Sequence, residues 1–203
     1  MKKMNQILWA MFLGSALVFT GCDDDDDPEP ENEPELITTI NVTFTNTDDA
    51  DDEVTFTASD EDGDGMGITY ENGTLTRGAT YDIEIEVLNE TETPVEDVTE
   101  EIEEEDDEHQ IYFGFPTTLF EDFSYENTDG NGDPLGTEAQ VTVVEEATQG
   151  SFIVIIQHEP NKEANSDTTP WVYSDEIGGE TDANVTFTVS VQDAEEPVTV
   201  VRQ

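Results

Sequence analysis

His109 and His158 are the two histidines of a 203-residue chain, and both stand among carboxylates: Asp107 and Glu108 precede the first, Glu159 follows the second. Imidazole nitrogen combined with carboxylate oxygen suits a divalent first-row transition metal, and two imidazoles approaching from opposite sides suit haem iron. Both rings fall at strand ends. His109 leads into the alternating Ile111, Phe113 and Phe115, and His158 follows Phe152, Val154 and Ile156, so each shares a face with its apolar neighbours. If the two strands run antiparallel, the imidazoles meet at one end of the domain. The competing reading is a pair of structural histidines hydrogen-bonded to nearby acids.

Asp60, Asp62, Asp64, Gly65 and Glu71 satisfy the spacing D-x-D-x-D-G-x5-E, which sets oxygen ligands around a glycine turn as calcium requires. Gly67 stands where a bulky apolar residue normally follows, and the flanks read as strands rather than helices, so a solvated hairpin turn competes with calcium. Asp129, Asn131 and Asp133 repeat the opening of the pattern with Pro134 in place of the glycine. A run of eight carboxylates from Glu100 to Glu108, broken by Ile102, is a third set of oxygen donors, where like charges raise each other's pKa and favour cations.

Catalysis is not expected. No serine sits in a nucleophile elbow, no H-x-x-x-H zinc spacing occurs, and nothing singles out two acids for glycoside hydrolysis. The formal net charge is -47, from 52 acids and five bases. A phosphate backbone must be met by clustered Lys and Arg, so nucleic acid is excluded as a partner. Acid excess of this size also keeps a protein hydrated in concentrated salt, which discounts arguments resting on carboxylates alone.

The elements that must position these residues begin after an N-terminal sorting signal. Lys2 and Lys3 precede an apolar run over 7–19, then Thr20-Gly21-Cys22, followed at once by five aspartates. The run has signal-peptide rather than membrane-span length, and small residues before a cysteine form a lipobox, with Phe19 where Leu, Val or Ile is usual. Cys22, the single cysteine, is the expected lipidation site. Residues 1–21 are read as signal peptide and 22–35 as a lipidated cysteine with an acidic, proline-containing tether. With Lys2 and Lys3 removed, the mature chain keeps Arg77, Lys162 and Arg202 as its bases.

Residues 36–203 have the length of one domain, with period two in 40–45, 54–57 and 81–87, and again in 111–115, 139–144, 151–156, 185–191 and 198–201. Turn signals such as Asn72-Gly73 and Gly178-Gly179 separate them. The expected fold is all-β, an antiparallel, immunoglobulin-like β-sandwich of seven to nine strands. Phe152-Ile153-Val154-Ile155-Ile156 lacks alternation and is expected to be central. Residues 96–108 read as a short acidic helix or loop, and their like charges weigh against a stable helix.

Several segments carry a resemblance: Glu35-Leu36-Ile37-Thr38-Thr39, Asp60-Glu61-Asp62-Gly63-Asp64-Gly65, the acidic stretch 98–110, His158-Glu159-Pro160 and Gly179-Glu180-Thr181-Asp182. On these the chain resembles a group of small Bacteroidetes surface lipoproteins, mostly hypothetical proteins, sometimes labelled "type 1 periplasmic binding fold". The aspartates after Cys22 resemble the export signal of such lipoproteins, which implies an outer-membrane, cell-surface location. The label implies an α/β fold with long helices; the periodicity implies all-β. The function expected from these readings is a surface-anchored lipoprotein that binds a metal ion or metal complex, with an outer-membrane receptor as possible partner. Alternatives are an adhesive or structural module with calcium loops, and a carbohydrate-binding module exposing Trp171 and Tyr173.

Overall fold

A computed structural model describes residues 35–162 and 177–194. Cys22, Trp171, Tyr173 and the strand expected over 198–201 lie outside the described residues. The described chain runs β1 (Thr39–Asn46), β2 (Glu53–Ser59), β3 (Thr69–Glu71), β4 (Thr74–Thr76), β5 (Thr80–Asn89) and β6 (Glu96–Asp97). It continues through α1 (Val98–Glu104), β7 (His109–Gly114), β8 (Phe120–Tyr125), β9 (Glu138–Val143), β10 (Gln149–His158) and β11 (Glu180–Gln192).

Alternation translates directly into burial. In β5 the side chains of Tyr81, Ile83, Ile85 and Val87 are buried while Asp82, Glu84 and Glu86 are exposed. Two sheets result: a larger one in the order β3-β2-β1-β5-β9-β8, with β6 on β5, and a smaller one in the order β4-β11-β10-β7. Neighbouring strands are antiparallel except for the short β4–β11 pair. The sheets pack face to face as an all-β sandwich. Phe44 of β1 meets Phe152 of β10 at 5.4 Å between ring centroids, and Phe56 of β2 meets Phe187 of β11 at 5.8 Å. Each such side chain, fully buried, contributes about 1.5–3 kcal/mol.

β10 is central, as its unalternated sequence implies: Val154 and Ile156 face the main core, and Ile155 packs with Tyr112 and Ile177 on the other side. The described residues hold eleven strands rather than seven to nine. Three of the additions, β3, β4 and β6, are only two or three residues long. The other, β8, hides its period because Phe120 and Phe123 are three apart. A register shift between Glu121 and Ser124, with Asp122 at φ 52°, absorbs the extra residue.

α1 forms despite its charges. Asp97 caps it by accepting the Thr99 N–H, Glu100 and Glu101 sit in the first turn, and Val98 and Ile102, one turn apart, are buried. Acids near a helix N-terminus are stabilised by the dipole, and the Thr99 hydroxyl accepts the Val87 N–H at 2.8 Å, tying the helix to β5. Burial and capping outweigh the repulsion.

Candidate metal centre

β7 begins where β10 ends. The two strands are antiparallel neighbours and their register sets His109 directly opposite His158. The rings stack with centroids 4.6 Å apart and planes 17° from parallel, and the residues are 0% and 5% exposed. Face-to-face imidazoles leave no slot for a porphyrin between them, so the two-sided haem arrangement does not fit this geometry. Carboxylates from two other segments reach the same end of these strands.

Glu35 and Asp182 supply them. One ligand atom from each of Glu35, His109, His158 and Asp182 lies within 4.8 Å of the others. Glu35 reaches in from the segment before β1, its Oε1 lying 3.1 Å from His109 Nε2. Asp182 arrives through a β-bulge. Ile156 pairs with Ala183 and Gln157 with Thr181, so the register steps over Asp182. A bulge re-aims the extra residue, and here it turns a carboxylate toward the histidines at the end of the neighbouring strand.

Gly179 permits that approach. Its φ is 75°, and a Cβ there would stand 2.1 Å from the His158 carbonyl oxygen and 2.8 Å from that of Glu159. The Gly178-Gly179 signal therefore does more than turn the chain, since it lets the start of β11 close on the end of β10.

Burial and the neighbouring charges perturb the groups of this cluster in opposite directions. Burial pushes the Asp182 carboxyl up to about 6, with repulsion from Glu35 adding to it and His158 and His109 opposing. Burial also acts to raise Glu35, but the hydrogen bond with His109, its own backbone N–H and the charges of His109 and His158 together outweigh it and leave it below the ordinary range. For His109, burial favours the neutral ring, yet Glu35 and the Glu105 carbonyl outweigh it and raise the pKa. Three carboxylate oxygens, Glu35 Oε2 and both of Asp182, are buried with no hydrogen-bond partner among the described residues. Leaving one buried polar atom unsatisfied costs about 1–3 kcal/mol.

A further contact orients His109. His109 Nδ1 lies 3.3 Å from the Glu105 carbonyl oxygen at the end of α1. An N–H donated there leaves Nε2 directed at the cluster, the usual orientation of a metal-binding histidine. The acidic run thus serves the cluster through a backbone carbonyl, while Glu100 and Glu104 are exposed and Glu103 Oε1 accepts the Thr137 hydroxyl at 2.9 Å.

Of the acids singled out beside the histidines, Glu108 and Glu159 form a separate group with His158, and Asp107 belongs to none of the groups found among the described residues. The Asp60 loop gathers Asp60, Asp62 and Asp64 within the same 4.8 Å limit. Asp60 Oδ2 accepts the Gly65 N–H at 2.7 Å and Asp64 Oδ1 accepts the Met66 N–H at 2.8 Å. Glu71 stands apart from that group, exposed in β3 and paired with Thr57. The Asp129 loop already holds a cation: Asp129 Oδ2 is 2.9 Å from Lys162 Nζ, and its Oδ1 accepts the N–H groups of Asn131, Gly132 and Asp133.

Glu35 and Asp182 were not singled out from sequence. The first stands at the end of an acid-rich stretch, and the second is one acid in Glu180-Thr181-Asp182, where strict alternation puts it on the face opposite Ala183. The double glycine just before β11 was the available signal. No protein-family model, no characterised protein and no solved structure matches this chain.

Proposed function

We propose that this chain is a lipid-anchored outer-membrane surface protein whose β-sandwich binds one divalent transition-metal ion through Glu35, His109, His158 and Asp182. The observation that carries the reading is the set of three buried carboxylate oxygens without a hydrogen-bond partner among the described residues, beside two stacked, buried imidazoles. A cation is the group that satisfies all of them at once.

Two nitrogens and two oxygens match zinc(II), which is held tetrahedrally at about 2.0–2.2 Å from such atoms. Ligand atoms around that ion stand about 3.4 Å apart, so a cluster spanning up to 4.8 Å closes on it by contracting little more than an ångström and by turning the two imidazoles out of their near-parallel stack, so that both nitrogen lone pairs meet at the ion. Four protein ligands complete a tetrahedron, which favours holding the ion over catalysis by it. Attachment follows the lipobox and Cys22, the acidic stretch after Cys22 supports surface display, and an outer-membrane receptor is the partner to which such a protein would present its metal.

Zinc titrated into the purified protein should bind at one ion per chain. Asp182→Asn and His109→Ala should each weaken it strongly, while Asp107→Asn should leave it unchanged. Equal binding by all four proteins would remove the site.

A second reading, a calcium-stiffened surface module, is favoured by the convergence of Asp60, Asp62 and Asp64. In that case calcium at a hundredfold excess over Kd should stabilise the fold by about 2.7 kcal/mol. Asp62→Ala should erase the effect without altering zinc binding. A calcium effect unchanged in that variant would place the ion elsewhere.

A further inference from the structure

The ligand atoms of the inner cluster are closed off: His109 is fully buried, the Glu35 side chain is 11% exposed, and the free oxygens of Glu35 and Asp182 are inaccessible. A hydrated ion therefore needs a donor that reaches both the cluster and solvent. His158 belongs to two groups at once, the inner one and a second with Glu108 and Glu159. Its Nε2 lies 3.8 Å from Glu108 Oε2, and the Glu108 side chain is 48% exposed. Glu159, also exposed, directly follows His158, and its N–H donates to the Glu108 carbonyl oxygen at 2.6 Å, holding the two acidic residues side by side.

We infer that Glu108 and Glu159 form an outer acquisition site, which takes a divalent metal ion from solvent and passes it across the shared His158 to Glu35, His109 and Asp182. This rests on the proposed metal function and adds the route by which the ion enters. The outer carboxylates exchange water for oxygen ligands one at a time, so the ion is never stripped of its shell in a single step. His158 stays within reach of the ion as the inner carboxylates replace the outer ones. Exposed acids at a mouth also concentrate cations and raise association rates by about 10–1000-fold.

Stopped-flow mixing of the purified protein with cobalt(II), whose absorption reports its coordination, tests this. Glu108→Gln combined with Glu159→Gln is expected to slow association by about tenfold or more, with Kd unchanged because release slows equally. A control removing the same charge from the exposed face of α1, Glu100→Gln with Glu104→Gln, should leave the rate near that of the unaltered protein. An unchanged rate in the first variant, an equal slowing in the control, or a loss of affinity matching Asp182→Asn would each overturn the inference. A second cobalt ion bound by the unaltered protein and lost in the first variant would also overturn it, making the pair a storage site. If the unaltered protein bound no cobalt or zinc, the metal function itself would fail, a result distinct from all of these.

Discussion

Replacing Phe152 with alanine should destabilise the domain by about 3–5 kcal/mol, lowering the melting temperature by roughly 6–20 °C at the 2–4 °C per kcal/mol expected for a chain of this size. Phe152 is fully buried on the central strand of the smaller sheet. Its ring lies 5.4 Å from Phe44 and 5.7 Å from Phe120 of the larger sheet, and 5.6 Å from Phe113 beside it. Truncation therefore leaves a cavity where the two sheets meet, bounded by rings that cannot all move inward. Phe152→Leu should recover most of the loss. Urea unfolding checks both, and a loss below about 1 kcal/mol for the alanine variant would mean that the sheets are not joined through this ring.

Lys162→Ala should cost a similar amount, about 3–5 kcal/mol, because it strands a buried charge. The Asp129 side chain is fully buried and Lys162 is 7% exposed. Lys162 also donates to the Asp106 carbonyl oxygen, and Asp106 accepts the Gly130 N–H at 3.0 Å, so one ammonium joins the loop after α1 to the loop after β8. Burial acts to raise the Asp129 pKa, but the Lys162 hydrogen bond and the N–H groups of Asp133 and Asn131 outweigh it and bring it below the ordinary 3.8. A depressed carboxylate contributes stability that is present above its unfolded pKa and lost as pH falls through the folded one. This contribution should thus persist at neutral pH and fade below about pH 3.8. In Lys162→Ala the acid-side loss should shrink, since protonating Asp129 relieves its unpaired charge. Lys162→Met, which keeps the stem, separates charge from packing, and matching pH profiles in all three proteins would contradict the pairing.

Much of the fold was legible because one periodicity carries it. β1 and β5 alternate cleanly, and β10 announces its central place by not alternating. What escaped did so for local reasons: β8 breaks its period at Asp122, and α1 looks unstable if its charges are counted without the burial of Val98 and Ile102. The site divides in the same way. His109 and His158 could be paired from sequence because strand ends and antiparallel pairing are enough to bring them together. Asp182 could not, since a bulge defeats the parity argument that assigns strand residues to faces. Glu35 was hidden by composition, because one acid after a run of acids and prolines reads as tether. The regex at Asp60 located three gathered carboxylates but overreached at Glu71, which the β2–β3 pairing carries off into an edge strand. At Asp129 the same opening spacing folds around a lysine, because a protein with so few bases still uses one to neutralise a buried acid.

X-ray absorption at the zinc edge on the zinc-loaded protein examines the central claim most directly, since it reads the ligands themselves. The site defined by Glu35, His109, His158 and Asp182 predicts four light-atom neighbours at about 2.0–2.2 Å, with the multiple-scattering signature of two imidazoles. His109→Ala should lose one of them. A shell of oxygen alone, six-coordinate and unchanged by that substitution, would contradict the account and assign the ion to surface carboxylates.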